Sequence, residues 1–227
     1  MVGKLNFIGC CVKPVKFFIS RILNWLRDIY DEKGTVSIPK IIKKDLECWD
    51  KFLVTYNGIS MMIFEEWSKP DAVFSSDACP TGCGGIFESN FFHSEFPEFV
   101  TNMNLNINIL EMMSVIVCVK LWGQYFKGKK LMIKCDNQVT VTVINTEKSR
   151  NQFLQSCLRE LLFVAARHEF EIRAVHILGE ENWAADLLSR WHLSEFYAKT
   201  FDKELQSKYR ILELGVPSCL FQFEHDW

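Results

Sequence analysis

Hydrophobic residues recur at helical spacing through the first quarter of the chain. From Pro14 they return every three or four positions with polar side chains between them, which predicts an amphipathic helix that ends at Gly34. A second helix is predicted to start at Ser37 with Pro39 and to end at the Asn57-Gly58 pair. Its apolar stripe consists of Ile42, Leu46, Trp49 and Leu53. Neither helix carries a catalytic motif, so we interpret both as a support for a neighbouring domain.

After Lys69-Pro70 the pattern changes to short apolar runs of β character, with turns expected at Thr81-Gly82 and Ser89-Asn90. The expected order is β-β-β-α-β-α-α-β-α, and the first of these helices is apolar nearly all round, which predicts that it is buried. Alternation of this kind predicts an α/β fold in which helices cover a mixed sheet. Residues beyond 191 are weakly periodic and lead to no placement. Strands are predicted at residues 72–78, 84–88, 91–96, 131–135 and 170–177, and helices at 108–124, after Asp136, at 151–168 and at 182–190.

Composition and charge narrow the classes of function. The 227 residues are 48% hydrophobic and 14% aromatic, which suffices for a core in one or two domains and excludes a wholly disordered chain. Residues 1–60 carry ten Lys and Arg against six Asp and Glu, a balance of +4, whereas residues 61–227 carry sixteen against twenty-two, a balance of −6. If nucleic acid is a partner, we expect the front region to bind phosphates and the rear to bind metal ions.

Membrane and disulfide classes are not favoured. No apolar run approaches the ~18–20 residues of a membrane span, so no membrane partner is expected. Residues 5–12 are a short apolar run followed at once by Lys13, without a cleavage site, and we interpret them as mature sequence. The nine cysteines are odd in number and lack a repeated C-x-x-C spacing. We expect most of them to be reduced core residues of an intracellular protein, with cytoplasm and nucleus both open.

Four acidic residues stand at positions that a metal site would need. Asp77 ends the first strand, Glu111 lies in the first turn of the buried helix, Asp136 ends the later strand and Asp186 sits in the last helix. If they converge at one edge of the sheet, their mutual repulsion requires cations. Mg²⁺ is the expected cation for a phosphate-ester substrate, and two such ions can activate water for an in-line displacement.

Each acid also has a purely structural interpretation. Asn108 and Glu111 fit an N-cap with its capping-box partner. Asp77 and Asp136 fit turn residues at strand ends, and Asp186 fits a solvated helix acid. The spacing alone does not decide between one site and four separate roles.

The local sequence around these acids resembles ribonuclease H of type 1. Asp77-Ala78 followed by Thr81-Gly82-Cys83-Gly84-Gly85 is similar to the opening strand and hairpin of that family. The most specific stretch runs from His176 to Arg190 and reads H-x-x-G-x-x-N-x-x-A-D-x-L-S-R. It resembles the ribonuclease H of retroelement polymerases, especially the tyrosine-recombinase (DIRS-like) group. Leu110-Glu111 and Asp136-Asn137-Gln138 continue the match in the right order.

The resemblance implies a metal-dependent endonuclease that hydrolyses the RNA strand of RNA–DNA hybrids. It implies two Mg²⁺ ions, with Mn²⁺ as a substitute, and matches His176 to a mobile histidine that assists proton transfer and product departure. Gln138 falls where the family contacts the RNA strand, and Asn182 falls where it supports the site. Taken alone, His176 also fits a strand position that faces a partner, and an amide after a strand is often a cap. The implied metal ligands are Asp77, Glu111, Asp136 and Asp186.

The front of the chain resembles the polymerase-to-nuclease connection of the same group. The matching phrases are residues 3–7, Pro14, residues 17–21, Asp45-Leu46, Trp49 and Asn57-Gly58. The match covers nearly the whole chain, strongly over residues 71–191. It implies three parts, which are a helical connection region over residues 1–68, a ribonuclease H-like domain over 69–193 and a tail over 194–227.

The chain also departs from the family. It contains no YxDD-type motif, so we expect no polymerase activity and expect the polymerase portion of a reverse transcriptase as a partner. Between Asp136 and Asp186 it lacks the basic handle helix of cellular ribonucleases H, so hybrid binding should depend on the basic front region or on that partner.

Two alternatives remain open at this point. The chain fits a catalytically inactive nucleic-acid-binding or spacer module of a larger polymerase assembly. It also fits another member of the same fold superfamily, such as a DNA-cutting exonuclease or an integrase-like enzyme, because the acids alone do not encode RNA over DNA.

Overall fold

The computed structural model describes residues 13–30, 35–55, 69–206 and 209–224. The helices are α1 (Lys13–Asp28), α2 (Lys40–Thr55), α3 (Glu98–Thr101), α4 (Ile107–Trp122), α5 (Gln138–Thr146), α6 (Gln152–Arg167), α7 (Trp183–Ser189) and α8 (Glu195–Phe201). The strands are β1 (Ala72–Ala78), β2 (Gly82–Phe87), β3 (Asn90–Glu95), β4 (Lys130–Cys135), β5 (Glu171–His176) and β6 (Leu212–Glu213). Short 3₁₀ turns follow α4, α7 and β6, and a π-helical turn follows α8.

The six strands form one mixed sheet in the order β5-β4-β1-β2-β3-β6. Strands β1, β2 and β3 are antiparallel neighbours, whereas β4 is parallel to β1 and β5 is parallel to β4. The α/β class with a mixed sheet flanked by helices is therefore confirmed, as is the order of elements expected between β1 and α7. Helix α3 and the elements beyond α7 are additional.

The ends of the elements differ from expectation by small amounts, with one clear physical case. Strand β2 begins at Gly82 rather than Gly84, because Gly82 pairs with Glu95 of β3 and Cys83 pairs with Ala78 of β1. The turn is correspondingly tighter, and the Cys79 amide donates to the Gly82 carbonyl at 2.8 Å. The helix ends expected at Gly34 and Asn57-Gly58 lie outside the described residues.

The main core lies between the sheet and α4. This helix is buried on nearly all sides, since it packs against β1 on one side and α6 on the other. The rings of Phe74, Phe87 and Phe92 surround Trp122 at centroid distances of 6.0, 5.6 and 5.6 Å. By length and composition alone, residues 107–126 would also pass for a membrane span, so the prediction that no such run exists is wrong. Because 78% of this segment is buried inside the domain, it is a core helix.

The second face of the sheet is covered by α7 and α8. Leu187 and Leu188 of α7 and Phe201 of α8 enclose Phe91 of β3. The approach of α7 to the sheet is close, because a Cβ added at Gly84 would lie 2.3 Å from the Leu188 Cβ. Glycine is therefore needed at position 84 for α7 to reach its place beside β1 and β2.

Helices α1 and α2 pack against α6 on the first face. Ile19, Ile22, Ile42 and Trp49 are buried in the main core, whereas Leu53, expected in the same stripe, is 43% exposed. The tail returns to the domain, since β6 pairs with β3 and Phe221 packs edge-on against Phe96 at 5.8 Å. The tail is thus packed on both the sheet and the core, and the three-part domain division stays a prediction.

A buried ionic cluster joins α1, α2 and α6. Asp45 of α2 is fully buried, and its carboxylate lies 3.0 Å from Arg159 Nε of α6 and 3.3 Å from Arg21 Nε of α1. A buried carboxylate is tolerated when cations and hydrogen bonds replace its water. Helices α1 and α2 together are called the helical front. The three side chains of the cluster therefore fix how the helical front lies against the rest of the protein.

Asp45→Ala tests this cluster. We expect it to lower the free energy of unfolding by roughly 3–5 kcal/mol, because it leaves the buried Arg159 without its carboxylate. Urea denaturation at neutral pH measures the change. Asp50→Ala, at an exposed position of the same helix, is the matched control and should change stability by no more than about 0.5 kcal/mol. Equal losses in the two variants would contradict the role assigned to the cluster.

Candidate active site

The site is built at one edge of the sheet, where β1 and β4 end. These strands are parallel neighbours, so their carboxyl ends lie side by side. Asp77 is the penultimate residue of β1 and is 4% exposed, and Asp136 directly follows β4 and is half-buried. The fold thus places two acids that are 59 positions apart in sequence at adjacent strand ends.

Glu111 reaches the same edge from α4. The N-cap of that helix is Asn106, whose side chain accepts from the Ile109 amide, so the capping-box interpretation of Asn108 and Glu111 is wrong. Asn108 instead accepts a hydrogen bond from Asn137 at 2.9 Å. The Glu111 side chain is buried, and its carboxylate accepts hydrogen bonds from the Ala78 amide and the Cys135 thiol. Glu111 therefore belongs to the strand ends rather than to its own helix terminus.

Helix α7 supplies the fourth acid and an amide. Asp186 is half-buried and forms an ion pair with Arg190 one turn later, at 2.6 Å. Asn182 is 1% exposed, and its Nδ2 donates to the Ser76 carbonyl at 3.1 Å and to Asp136 Oδ1 at 3.2 Å. Asn182 thereby ties the start of α7 to both strands that carry the acids.

The four carboxyl groups repel one another, and burial adds to the cost of their charges. Burial, together with the charges of Asp136 and Asp186, raises the pKa of Asp77 to about 7. Burial and the charges of Asp77 and Asp136 raise the pKa of Glu111 to about 9. Burial also raises the pKa of Asp186, and Arg190 opposes that shift. Without a cation, the site therefore holds protons at neutral pH that isolated carboxyl groups would release.

A cluster that could hold a metal ion lies among these residues, and it includes two of the four predicted ligands, Glu111 and Asp136. Ligand atoms of Glu111, Cys135 and Asp136 lie within 4.8 Å of one another. Burial raises the pKa of the Cys135 thiol, which therefore stays protonated and donates to Glu111. The anionic donors are carboxylate oxygens, the ligands that hard divalent cations prefer. The two carboxylate donors and the raised pKa of Glu111 both fit a divalent cation.

Several supporting residues were not assigned by sequence reasoning. Ser189 donates to Asp77 Oδ2 at 2.5 Å, and Ser114 donates to the Asp77 carbonyl at 3.0 Å and the Gly84 carbonyl at 3.3 Å. Ser189 and Arg190 close the motif that starts at His176, so their place in that pattern was a usable signal. Ser114 and Cys135 resemble ordinary core residues in the sequence and offered none.

His176 and Gln138 lie at the rim of the site and are exposed. His176 Nε2 is 3.1 Å from the Asp136 backbone oxygen, so Nε2 carries the proton and donates. Gln138 begins α5, and its amide contacts Thr142 of the same helix at 3.4 Å. Asn137, rather than Gln138, is the N-cap of α5 and accepts from the Thr140 amide. The structure thus leaves the Gln138 side chain at the surface beside Asp136.

Comparisons with known proteins were made for the whole chain. No protein-family model matches it, and no curated protein matches it. Among solved structures, ribonuclease H1 from Halobacterium salinarum NRC-1 superposes over 55% of this chain and 96% of its own, with 12% identity and a TM-score of 0.42. LC11-RNase H1 in complex with an RNA/DNA hybrid superposes over 55% and 100%, with 14% identity and a TM-score of 0.45. The fold class rests on the sheet topology rather than on these superpositions.

Glu111→Gln tests the electrostatic description of the site. The folded protein keeps a proton on Glu111 up to pH of about 9, whereas the unfolded chain releases it near 4.5, so stability without metal falls as pH rises between these values. Removing the ionisable group should raise the free energy of unfolding by roughly 1–3 kcal/mol at pH 8 in EDTA. Urea denaturation from pH 5 to 9 measures this.

The same titration contains its own control. At pH 5 the carboxyl of Glu111 is protonated in the folded parent, so parent and variant should be nearly equal in stability there. Added Mn²⁺ should stabilise the parent more than the variant, because binding favours the folded state that holds all four carboxylates. A parent that gains stability with rising pH would contradict the raised pKa of Glu111.

Proposed function

We propose that this protein is a metal-dependent endonuclease that hydrolyses the RNA strand of RNA–DNA hybrids. The observation that carries the proposal is the proximity of Asp77, Glu111, Asp136 and Asp186 at one sheet edge, where burial and neighbouring charges raise the pKa of Asp77, Glu111 and Asp186. Ligand atoms of Glu111 and Asp136 also lie close enough to share a cation. A structural role would not bring four acids from two strands and two helices together. The motif from His176 to Arg190 supports the ribonuclease H class over other phosphodiesterases.

The cofactor that we propose is Mg²⁺, as two ions, with Mn²⁺ as a substitute. Asp77, Glu111, Asp136 and Asp186 would hold it, and Cys135 would remain a neutral neighbour. When bound, such ions neutralise the site, polarise the scissile phosphate and lower the pKa of water.

The surrounding residues keep the carboxylates in place. Ser189 fixes one oxygen of Asp77, and Asn182 fixes one oxygen of Asp136. Neither bond uses the second carboxylate oxygen of Asp77 or Asp136. Because both donors are buried, the orientation of the acids is set before a substrate arrives.

His176 is the proposed proton carrier. Its Nε2–H donates to the Asp136 carbonyl, which leaves Nδ1 as the basic atom of an exposed ring. Nδ1 can accept a proton from the attacking water as the bond from that water to phosphorus forms and the bond from phosphorus to one sugar oxygen of the RNA breaks. The leaving sugar oxygen takes a proton from solvent. Since the ring lies at the rim, it can also turn outward and release that proton to solvent when product leaves.

Selection of a hybrid is proposed to depend on its shape and on 2′-hydroxyl groups. Gln138 stands at the rim beside Asp136, and its exposed amide both donates and accepts hydrogen bonds as a 2′-hydroxyl requires. We further propose a retroelement setting of the DIRS-like group, with the polymerase portion of a reverse transcriptase as partner. The buried free thiols at positions 48, 79, 83, 118, 135 and 157 support a reducing, intracellular location.

Asp136→Asn is the direct test of the activity. We expect the parent to cut only the RNA strand of a labelled hybrid in Mg²⁺ or Mn²⁺ at low salt, and the variant to lose at least about 10³-fold in rate, because an amide neither carries the charge nor binds the cation as well. Gel analysis beside RNA–RNA and DNA–DNA duplexes measures strand and substrate preference. Glu98→Gln, an exposed acid of α3, is the matched control and should cleave as the parent does.

Three outcomes of this test discriminate the alternatives. Cleavage by Asp136→Asn at the parent rate would exclude that residue from the site. A parent that binds hybrid without cutting it, alone or with a polymerase portion added, would favour a binding or spacer module. Cleavage of DNA duplexes in preference to the hybrid would favour another enzyme of the same fold superfamily.

His176→Ala tests the proton carrier separately. We expect kcat to fall roughly 10²-fold with little change in Mn²⁺ affinity, because the substitution removes a base but no carboxylate. Single-turnover cleavage from pH 6 to 9 should show the loss of a basic group from the rate profile. His168→Ala, at the end of α6, is the control and should keep the parent profile. An unchanged profile in His176→Ala would contradict the assignment.

A further inference from the structure

A groove of about 920 Å³ lies outside the acidic site, between the helical front and the loop that joins α5 to α6. One wall consists of α1 and the start of α2, and the other consists of residues 147–150 and the first turns of α6. The cations on its walls are Arg21, Lys40, Lys44, Lys148, Arg150 and Arg159. Glu147 is the one acid among the described lining residues. A concentration of six cations is notable in a chain whose formal net charge is −2.

Three of these cations face solvent. Lys40, Lys148 and Arg150 are exposed and form no ion pair with another described residue. Lys40 comes from the helical front, whereas Lys148 and Arg150 come from the loop on the opposite wall. Positive charge therefore faces the groove from both sides, and each wall alone would present only part of it.

At the base of the groove, one donor lacks an acceptor. Arg159 is 2% exposed, and its Nε is used by Asp45, but its Nη2 has no hydrogen-bond acceptor among the described residues. An unsatisfied buried guanidinium nitrogen is costly, and a planar guanidinium matches the oxygens of a phosphate. Because two arginines share the single carboxylate of Asp45, the base of the groove also carries an excess of positive charge.

We infer that this groove binds the phosphodiester backbone of the nucleic-acid duplex whose RNA strand is cut at the acidic site. The inference rests on the proposed function for the identity of the duplex. Arg159 is the donor at the base, and Lys40, Lys148 and Arg150 bind phosphates along the walls. The helical front is then a substrate-binding element as well as a support.

The distance between groove and acids suits a duplex. Helix α5 connects them directly, since it starts two residues after Asp136 and its C-cap residue, Glu147, lies on the wall of the groove. Nine helical residues span about 13–14 Å. A duplex rises about 3.4 Å per base pair along each strand, so the groove contacts backbone roughly four base pairs from the cleavage point. A small phosphate compound would satisfy Arg159 but would leave the exposed cations of both walls unused.

The test measures binding rather than cleavage, in EDTA, and uses the 227-residue protein that carries Asp136→Asn. Lys40→Ala, Lys148→Ala and Arg150→Ala are combined in the groove variant. A fluorescent RNA–DNA hybrid of about 20 base pairs is titrated at several salt concentrations between about 50 and 200 mM. Loss of three phosphate contacts should weaken binding at least 10-fold at the lowest salt. It should also reduce the slope of log affinity against log salt by up to about 2.7, since each contact contributes about 0.9.

The control variant removes the same charge elsewhere. Lys69→Ala, Lys127→Ala and Lys129→Ala change residues that precede β1 and β4, at the edge of the sheet away from the acids, and none of them lines the groove. The control should keep the parent slope. The inference would be overturned if both variants lost hybrid affinity equally, or if the groove variant kept the parent's slope of log affinity against log salt.

Two further experiments distinguish this inference from a site for free phosphate and from a failure of the proposed nuclease function. Inorganic phosphate at constant ionic strength is tested for thermal stabilisation of the parent. Stabilisation that the groove variant loses, combined with unchanged hybrid binding, would assign the groove to a free phosphate and overturn the inference. Cleavage by the protein with Asp136 intact is measured in parallel with Mn²⁺. If the salt dependence of hybrid binding falls in the groove variant but not in the control variant, while the protein cuts no hybrid, the groove is supported as a nucleic-acid site. Only the nuclease assignment is then rejected.

Discussion

Mutual repulsion among four carboxyl groups at one sheet edge is the constraint on which the remaining arrangement depends. Two of these groups are nearly inaccessible to water, so their charges cannot be screened by solvent. Hydrogen-bond donors partly compensate for this repulsion. Ser189 donates to Asp77, Asn182 donates to Asp136, and the Ala78 amide donates to Glu111. Asp77 and Glu111 also retain protons to higher pH than isolated carboxyl groups do. Burial of these carboxyl groups thus lowers stability at this edge of the sheet, a cost that is typical of functional sites.

Much of this arrangement could be predicted from the sequence, because it follows local patterns. Period-two burial in β1 and the continuous apolar surface of α4 indicated a sheet with a helix enclosed against it. The acids at strand ends followed from the same pattern. The assignment of Glu111 was less secure, since Asn108 fits an N-cap equally well in sequence. Only the position of the N-cap at Asn106, two residues before Asn108, decides between these roles for Glu111.

What could not be predicted arises from contacts between distant segments. Asp45 and Arg159 are 114 positions apart, and nothing local marks either as the member of a buried pair. The tail shows the same limit, because β6 has two residues and gains its place by pairing with β3. Phe221 joins the main core although its surroundings in sequence are weakly periodic. In each case the energy comes from tertiary packing rather than from the propensity of the segment.

The enclosure of α4 has a consequence for how this protein can vary over evolutionary time. Each residue added to or removed from a helix turns everything beyond it by about 100°. Here both sides of the helix are in contact with core, and Ser114 is bonded to the carbonyls of two strands, so such a turn has no tolerated outcome. Substitutions of similar volume can accumulate in α4, whereas changes of length cannot. As related sequences diverge, residue identity along this helix should therefore be lost while the interval from Asn106 to Glu111 stays constant. Spacing is then better preserved among distant relatives than residue identity.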